Sequence, residues 1–304
     1  MNPAALVTES PFFNEIPDGI DHLFHYTDAG GLIGMVQYGK LWLTSIHYQN
    51  DSQEYHYAFS LVKEVLEESY PGLLEEWALG SRGKTSTVFT FSLSEKRDSL
   101  SQWRGYCPDG GFALSFRREQ FNEFIKREKI FVAKCRYNKT EQKEFIKKYV
   151  IEFSPEYYIE KKALEVAPCF HRDMRIMYFN KYLFDRIVRI APLLKHDGFI
   201  DEQEWRLIKV LQTSSEAKSL GDSVKNYIPK DTVKIRSRKD KLVPYIELVM
   251  NRDNGEPVAI DEVVISPTSH EELALDACNI LLHTKCRDSI NGTASNSKIP
   301  YINW

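Results

Sequence analysis

The chain has 304 residues, of which 42% are hydrophobic and 12% aromatic, so it can form one large or two modest domains and is not globally disordered. Its 40 lysines and arginines against 43 aspartates and glutamates argue against a general nucleic-acid coat, although not against a local basic groove. The five cysteines are scattered and include no C-x-x-C pair, which is typical of reduced thiols rather than of a disulfide framework or a zinc site.

The first predicted elements are a strand, a helix and a second strand. Residues 1–19 are interrupted by prolines and lack the basic and apolar regions of a signal peptide. The apolar and aromatic run Leu23–Thr27 predicts a strand, Asp28 a helix cap, and Ala29–Tyr38 and Lys40–Ser45 the next helix and strand. No apolar run approaches the roughly 20 residues of a membrane span, so we expect a cytoplasmic protein.

Strands alternate with short helices in the rest of the first half. The predicted strands are Thr87–Ser94, Phe112–Phe116 and Ile130–Tyr137, and the predicted helices are Asp51–Glu67, Leu73–Leu79, Ser99–Tyr106 and Arg118–Arg127. Residues 140–196 are helical, charged and aromatic, with an apolar stripe between His171 and Lys195. No Gly/Ser-rich linker flanks this block, so we interpret it as a helical insertion within a single domain that spans 1–304.

The second half is again dominated by predicted strands. They are Gln203–Val210, a hairpin of Val233–Arg236 and Leu242–Met250, the strand Val258–Ser266, and an extended piece Lys298–Tyr301, with one helix at Glu271–Leu282. The order of elements predicts an α+β fold.

Two places in this pattern carry polar groups on otherwise apolar strands. His25, Tyr26 and Thr27 end the first strand, where buried polar groups are costly unless they are hydrogen-bonded. A histidine bonded to the backbone is the structural alternative. In the later strand, alternation places Glu204 and Arg206 together on the face opposite Trp205, either as a structural ion pair or as a carboxylate and a guanidinium that bind a ligand.

Further candidates lie on a helix, a strand and a loop of the first half. Trp103 and Tyr106 are three residues apart and share a helix face, where Trp103 suits packing and Tyr106 suits stacking on a ligand. Ser94 shares its strand face with Ser92, and Asn50 lies in a polar cluster that a helix N-cap also explains. The sequence has no G-x-G-x-x-G, Walker, H-E-x-x-H or G-x-S-x-G motif, which argues against the corresponding dehydrogenase, NTPase, zincin and hydrolase classes.

The order of these motifs resembles that of a bacterial family known as domain of unknown function 2971. The matching segments are Leu23–Thr27, Leu41–Ser45, Asn50–Glu54, Phe91–Ser94, Trp103–Tyr106 with Gly111 and Phe112, Glu202–Arg206 and Ser297–Tyr301. Two small departures occur: Ser52 stands where the family often has proline, and Glu54 comes one residue early.

That family is similar in layout to the ADP-ribosyltransferase superfamily. The resemblance implies a split central sheet of mixed strands with flanking helices, and NAD⁺ as the substrate. It implies that His25 binds a ribose, that Glu204 holds the nicotinamide ribose, and that a tyrosine stacks on the nicotinamide. Tyr106 is the first choice for that tyrosine, with Tyr48 and Tyr26 as alternatives. The implied binding set is completed by Thr27, Ser45, Asn50, Ser94, Trp103 and Arg206.

We therefore expect Thr27, His25 and Glu204 to line one wall of a cleft, with Tyr106 or Tyr48 on the other. The implied activity is ADP-ribosyl transfer to a protein or nucleic acid, in a bacterial defence or toxin effector that has a homodimer or antitoxin partner. The alternatives are an NAD⁺ glycohydrolase, a nuclease-like effector, and a non-catalytic module that binds a nucleotide or a protein.

Overall fold

The fold is seen in a computed structural model that describes residues 15–48, 52–69, 88–152, 187, 189–211, 232–238, 241–250, 254, 258, 260–285 and 292–300. The predicted helix Leu73–Leu79 and most of the predicted segment His171–Lys195 lie outside these residues.

The described residues form ten strands and six α-helices. The strands are β1 His22–Thr27, β2 Lys40–Ser45, β3 Val88–Ser94, β4 Phe112–Arg117, β5 Phe131–Lys134, β6 Glu204–Val210, β7 Lys234–Arg238, β8 Lys241–Val249, β9 Ile260–Ile265 and β10 Thr293–Asn296. The helices are α1 Ala29–Tyr38, α2 Ser52–Ser69, α3 Leu100–Tyr106, α4 Arg118–Glu128, α5 Lys139–Ile146 and α6 Glu271–Lys285. A π-helical stretch, Lys147–Glu152, follows α5, and Ala191–Leu193 is a 3₁₀ turn.

The strands form one mixed sheet with the order β10-β9-β4-β1-β3-β2-β8-β7, and β6 pairs with both β3 and β5. Antiparallel pairs predominate, whereas β10 runs parallel to β9. The fold is therefore α+β with a mixed open sheet, as predicted. The predicted strand Ile130–Tyr137 is too long, because the chain leaves β6 after Lys134 and Arg136 forms a parallel bridge to Leu194.

Backbone contacts divide the chain into two compact units. The first comprises residues 1–11, 46–88 and 135–199, and the second comprises 12–45, 89–134 and 200–304. Within the first unit, α2 packs on α5 and on the turn Ala191–Leu193. The predicted helical insertion thus shares its unit with α2, and the single-domain organisation stays a prediction.

Side-chain alternation gives the sheet of the second unit two different sides. One side carries the main apolar core, to which α1, α4 and α6 contribute; its strand members include Leu23, Leu41, Leu43, Phe91, Leu93, Leu114, Phe116, Trp205 and Leu207. The other side carries a smaller cluster of Phe24, Tyr26, Trp103, Cys107, Ala113 and Val264, against which Tyr106 and Ile299 pack. Trp103 and Tyr106 therefore share a face of α3, as the sequence predicted.

Helix α1 begins and ends where its sequence requires. The Asp28 side chain accepts a hydrogen bond of 2.8 Å from the Gly31 N–H, and Gly39 adopts a left-handed φ of 58° at the other end. Gly31 also permits a close approach, because a Cβ atom at this position would lie 1.9 Å from Thr27 Oγ1. The first turn of α1 therefore packs directly on the last residue of β1.

We expect Gly31→Ala to lower the free energy of unfolding by about 1–3 kcal/mol, because the added methyl overlaps the Thr27 side chain. Gly34→Ala in the same helix is the matched control, since a Cβ atom there meets nothing within 4 Å. Alanine should stabilise that helical position by about 0.5–1 kcal/mol. Urea unfolding of both variants measures the difference, and equal effects would contradict the close approach.

Candidate functional site

The sheet is interrupted beside β1. β1 pairs with β3 at Phe24 and Ser94, whereas β2 pairs with β3 at Thr44–Thr90 and Ser45–Phe89. All three strands are described, and neither pairing includes residues 91–93 of β3. Residues 91–93 of β3 therefore have no ladder partner in β1 or β2, so their backbone groups on this edge can bind side chains, while β3 also pairs with β6.

His25 occupies this break. Its Nδ1 atom lies 2.7 Å from the carbonyl oxygen of Ser92, and its ring stacks on Phe91 with centroids 4.0 Å apart. A carbonyl oxygen only accepts hydrogen bonds, so Nδ1 carries the proton and Nε2 is left as an acceptor.

Burial lowers the pKa of His25 to about 4, and the positive charge of Arg236 lowers it further, while the bond to Ser92 and the charge of Asp28 act in the opposite direction. The imidazole is therefore neutral at pH 7. It can accept a hydrogen bond from a ligand hydroxyl through Nε2, but it cannot donate one there.

The two residues after His25 make structural contacts. The Tyr26 hydroxyl donates a 2.8 Å hydrogen bond to the Lys96 carbonyl, and its ring meets Trp103 edge-on at 4.6 Å. Burial raises the pKa of Tyr26, so the phenol stays protonated. The Thr27 carbonyl accepts a hydrogen bond from Cys107 Sγ at 3.4 Å. Among the alternatives for the tyrosine that stacks on the ligand, Tyr26 therefore already has its ring packed against Trp103.

Asp98 fixes the indole of Trp103 from the other side. Its Oδ1 atom accepts hydrogen bonds of 2.7 Å from Trp103 Nε1 and from the Ser297 hydroxyl. Its Oδ2 atom accepts a 2.8 Å bond from the Lys298 N–H. One carboxylate therefore joins helix α3 to the segment that follows β10, and Trp103 has the packing role that its sequence context favoured.

Glu204 and Arg206 form a buried, two-point ion pair. Arg206 Nε lies 2.7 Å from Glu204 Oε1, and Arg206 Nη2 lies 2.9 Å from Oε2. Both residues are 2% exposed. Because desolvated charges need such pairing, the arrangement holds the carboxylate in one orientation on the side of β6 opposite Trp205 and Leu207. The structural Glu–Arg pair considered from the sequence is therefore present.

A strained turn precedes this pair and presents a second carboxylate. Gln203 has a φ of 43°, a left-handed conformation that is uncommon for a residue other than glycine. Just before it, Glu202 is buried, its Oε2 atom lies 3.1 Å from the donating Tyr106 hydroxyl, and its carbonyl accepts a 2.6 Å bond from Ser94 Oγ. Tyr106 and Ser94 thus contact Glu202, a residue that the sequence did not single out.

His25 and Glu204 project from different sides of the sheet. His25 alternates with Leu23 and stacks on Phe91, which both belong to the main core, whereas Glu204 lies opposite the core residue Trp205. Strand alternation therefore does not give the expected single wall of Thr27, His25 and Glu204. Their roles in binding a ligand remain predictions.

The remaining predicted positions lie on or near β2. Ser45 is fully buried, and its hydroxyl has no hydrogen-bond partner among the described residues. Burying an unpaired hydroxyl lowers the stability of the fold, which a purely structural role for Ser45 does not explain. Tyr48 is 40% exposed in the 3₁₀ turn Ile46–Tyr48. Asn50 lies outside the described residues.

Arg236 is a charged residue in contact with β2 that the sequence interpretation missed. Its guanidinium carbon lies 5.4 Å from the ring centre of Trp42 and 5.6 Å from that of Tyr245, and its Nη2 atom donates a 2.9 Å bond to Thr44 Oγ1. The alternation of Lys234 and Arg236 in β7 could have indicated from the sequence that the two side chains share a face. The pairing of β2 with β8, which brings the two rings together, could not have been inferred in the same way.

Residues 102–207 match the model of a family described as a protein of unknown function, DUF2971. The match to DUF2971 includes Tyr106, Glu202, Glu204 and Arg206, and it supports the resemblance inferred from the motif order. His25 lies outside the matched range. No curated protein and no solved structure matches the chain.

None of the described helices is both apolar enough and long enough to span a membrane. Among all the residues that the structure describes, no group of three or more histidine, cysteine, aspartate or glutamate side chains is placed to hold a metal ion.

Proposed function

We propose that this chain binds NAD⁺ and transfers its ADP-ribose to a macromolecular acceptor. The neutral His25 imidazole at the break in the sheet is the observation that carries the proposal. An unprotonated Nε2 suits a ribose hydroxyl, which must donate its hydrogen. The break beside β1 is also what the split central sheet of an ADP-ribosyltransferase-like fold requires.

One charged group, the Arg236 guanidinium, and one polar group, the Ser45 hydroxyl, support a dinucleotide as the ligand. Arg236 lies close enough to His25 to lower its pKa, and a guanidinium is well suited to a pyrophosphate. The Ser45 hydroxyl, buried without a partner among the described residues, is a further group for a ligand to satisfy.

In the reaction, the bond between the nicotinamide nitrogen and ribose C1′ breaks, and its electron pair leaves with nicotinamide. The acceptor then bonds to C1′ and releases a proton. A carboxylate next to the developing oxocarbenium charge stabilises the transition state selectively. Glu204, oriented by Arg206, is the predicted carboxylate, although it projects from the side of the sheet opposite His25, and Glu202 is the rival two residues earlier. The proposed context is a bacterial defence or toxin effector.

The test incubates the purified full chain with NAD⁺ labelled in its adenylate part and a bacterial lysate. We expect label on a macromolecule, and about a 100-fold slower transfer for His25→Ala and for Glu204→Gln. His22→Ala is the matched control, because this histidine lies on the same strand but contacts Asp261. Glu202→Gln decides which carboxylate acts.

The outcomes separate the alternatives. Free labelled ADP-ribose without a labelled macromolecule indicates an NAD⁺ glycohydrolase. No consumption of NAD⁺ contradicts both reactions and leaves a binding module or a nuclease-like effector. Full activity of Glu204→Gln together with loss in Glu202→Gln would keep the reaction and overturn the residue assignment.

A further inference from the structure

The sheet face that Arg236 occupies continues outward as a positively charged surface. By strand register, Lys40 and Trp42 of β2, Tyr245 and Glu247 of β8, and Lys234 and Arg236 of β7 project to the same side. Lys241, at the start of β8, belongs to the same side and is exposed. We call this surface the β2–β8–β7 face.

The charge of this face contrasts with that of the whole protein. Glu247 is the acidic side chain among those described on the face, against the cations Lys40, Lys234, Lys241 and Arg236, whereas the chain as a whole has a net charge of −3. Lys40 Nζ and Lys234 Nζ approach the same Glu247 oxygen at 3.0 and 2.5 Å, and their side chains remain 37% and 47% exposed. A local excess of positive charge on an acidic protein is complementary to a polyanion.

Aromatic groups distinguish the face from a simple patch of lysines. The partly exposed Trp42 and the buried Tyr245 have ring centres 5.0 Å apart, and the partly exposed Arg236 places its guanidinium over both rings, so that Trp42 and Arg236 are the planar groups within reach of a base. Unpaired nucleic-acid bases stack on aromatic rings and on guanidinium planes, while lysines next to them neutralise phosphates. An acidic protein segment would use the charges but has no need of the stacked rings.

We infer that the β2–β8–β7 face binds single-stranded nucleic acid through Arg236, Trp42 and the surrounding lysines. This binding does not depend on catalysis.

The experiment measures the fluorescence anisotropy of labelled mixed-sequence 20-nucleotide RNA and DNA with the full chain, without NAD⁺, at several salt concentrations. We expect binding that weakens as salt rises. Lys234→Gln and Lys241→Gln should each weaken it about three- to tenfold and reduce the salt slope by about 0.7. Arg236→Lys, which keeps the charge but loses the planar group, should also weaken binding.

Glu247→Gln supplies the sharpest test, because it removes the acidic charge from the face and should tighten binding about threefold, a gain that damage to the fold would not produce. Lys126→Gln is the control, since this exposed lysine pairs with Glu15 elsewhere and its loss changes the net charge equally. Absence of binding at low salt, equal weakening by Lys126→Gln, or displacement of the oligonucleotide by polyglutamate of the same charge would each overturn the inference. A failed NAD⁺ assay would leave it intact.

Discussion

Arg206→Met is expected to lower the free energy of unfolding by about 3–5 kcal/mol. The substitution leaves the Glu204 carboxylate, which is 2% exposed, without the guanidinium that binds both of its oxygens. An ionised group stranded in the interior costs far more than the pair itself contributes. Urea unfolding followed by tryptophan fluorescence measures the loss.

Two further variants show whether the loss comes from the stranded charge. Lys63→Met breaks the exposed pair of Lys63 with Glu67 and should cost no more than about 0.5 kcal/mol. Glu204→Leu combined with Arg206→Met removes both charges and should recover most of the stability lost in Arg206→Met. If the double variant is less stable than the single one, the stranded charge is not the cause. The same measurement must accompany Glu204→Gln, so that lost activity is not confused with lost folding.

The gap in free energy of unfolding between the wild type and His25→Asn is expected to narrow by about 3 kcal/mol as the pH falls from 7 to 4. Burial lowers the pKa of His25 to about 4 in the folded state, whereas in the unfolded chain its pKa lies near the ordinary histidine value of 6.5. Over this interval the unfolded state takes up a proton that the folded state does not, so acid favours unfolding. Asparagine has no such proton to take up, and the variant escapes this loss.

Urea unfolding at pH 7, 6, 5 and 4 measures the gap, since the common titration of all other groups cancels between the two proteins. A gap for His25→Asn that stays constant would mean that His25 has the same pKa in the folded and the unfolded protein. That result would contradict the desolvation that keeps the imidazole neutral in the proposed ribose contact.

Local signals were enough to predict the elements that surround the site. Helix α1 and strand β2 have the predicted bounds, because Asp28, Gly39 and the apolar runs between them act within a few residues. The alternation in β6 likewise predicted that Glu204 and Arg206 share a face.

Contacts between distant segments could not be predicted in this way. The break beside residues 91–93 depends on where β1 and β2 each pair with β3, and no short stretch of sequence encodes that choice. Tyr106 donates to Glu202, which directly precedes Gln203, and the positive φ of Gln203 is a conformation that a glutamine in the sequence does not predict. The parallel strand β10 was missed because its four residues, Thr293–Asn296, carry no apolar alternation.

The hydrogen bonds of Asp98 also constrain the order in which the protein is completed. Its partners Ser297 and Lys298 lie 199 and 200 residues further along the chain. During synthesis, the segment between β3 and α3 that carries Asp98 leaves the ribosome long before these partners exist, and closing so long a loop must wait for them. Asp98 can bond the nearby Trp103 indole early, but its bonds to Ser297 and Lys298 form only after residue 298 has been made. A nascent chain stalled before that point would lack the link between α3 and the segment that follows β10.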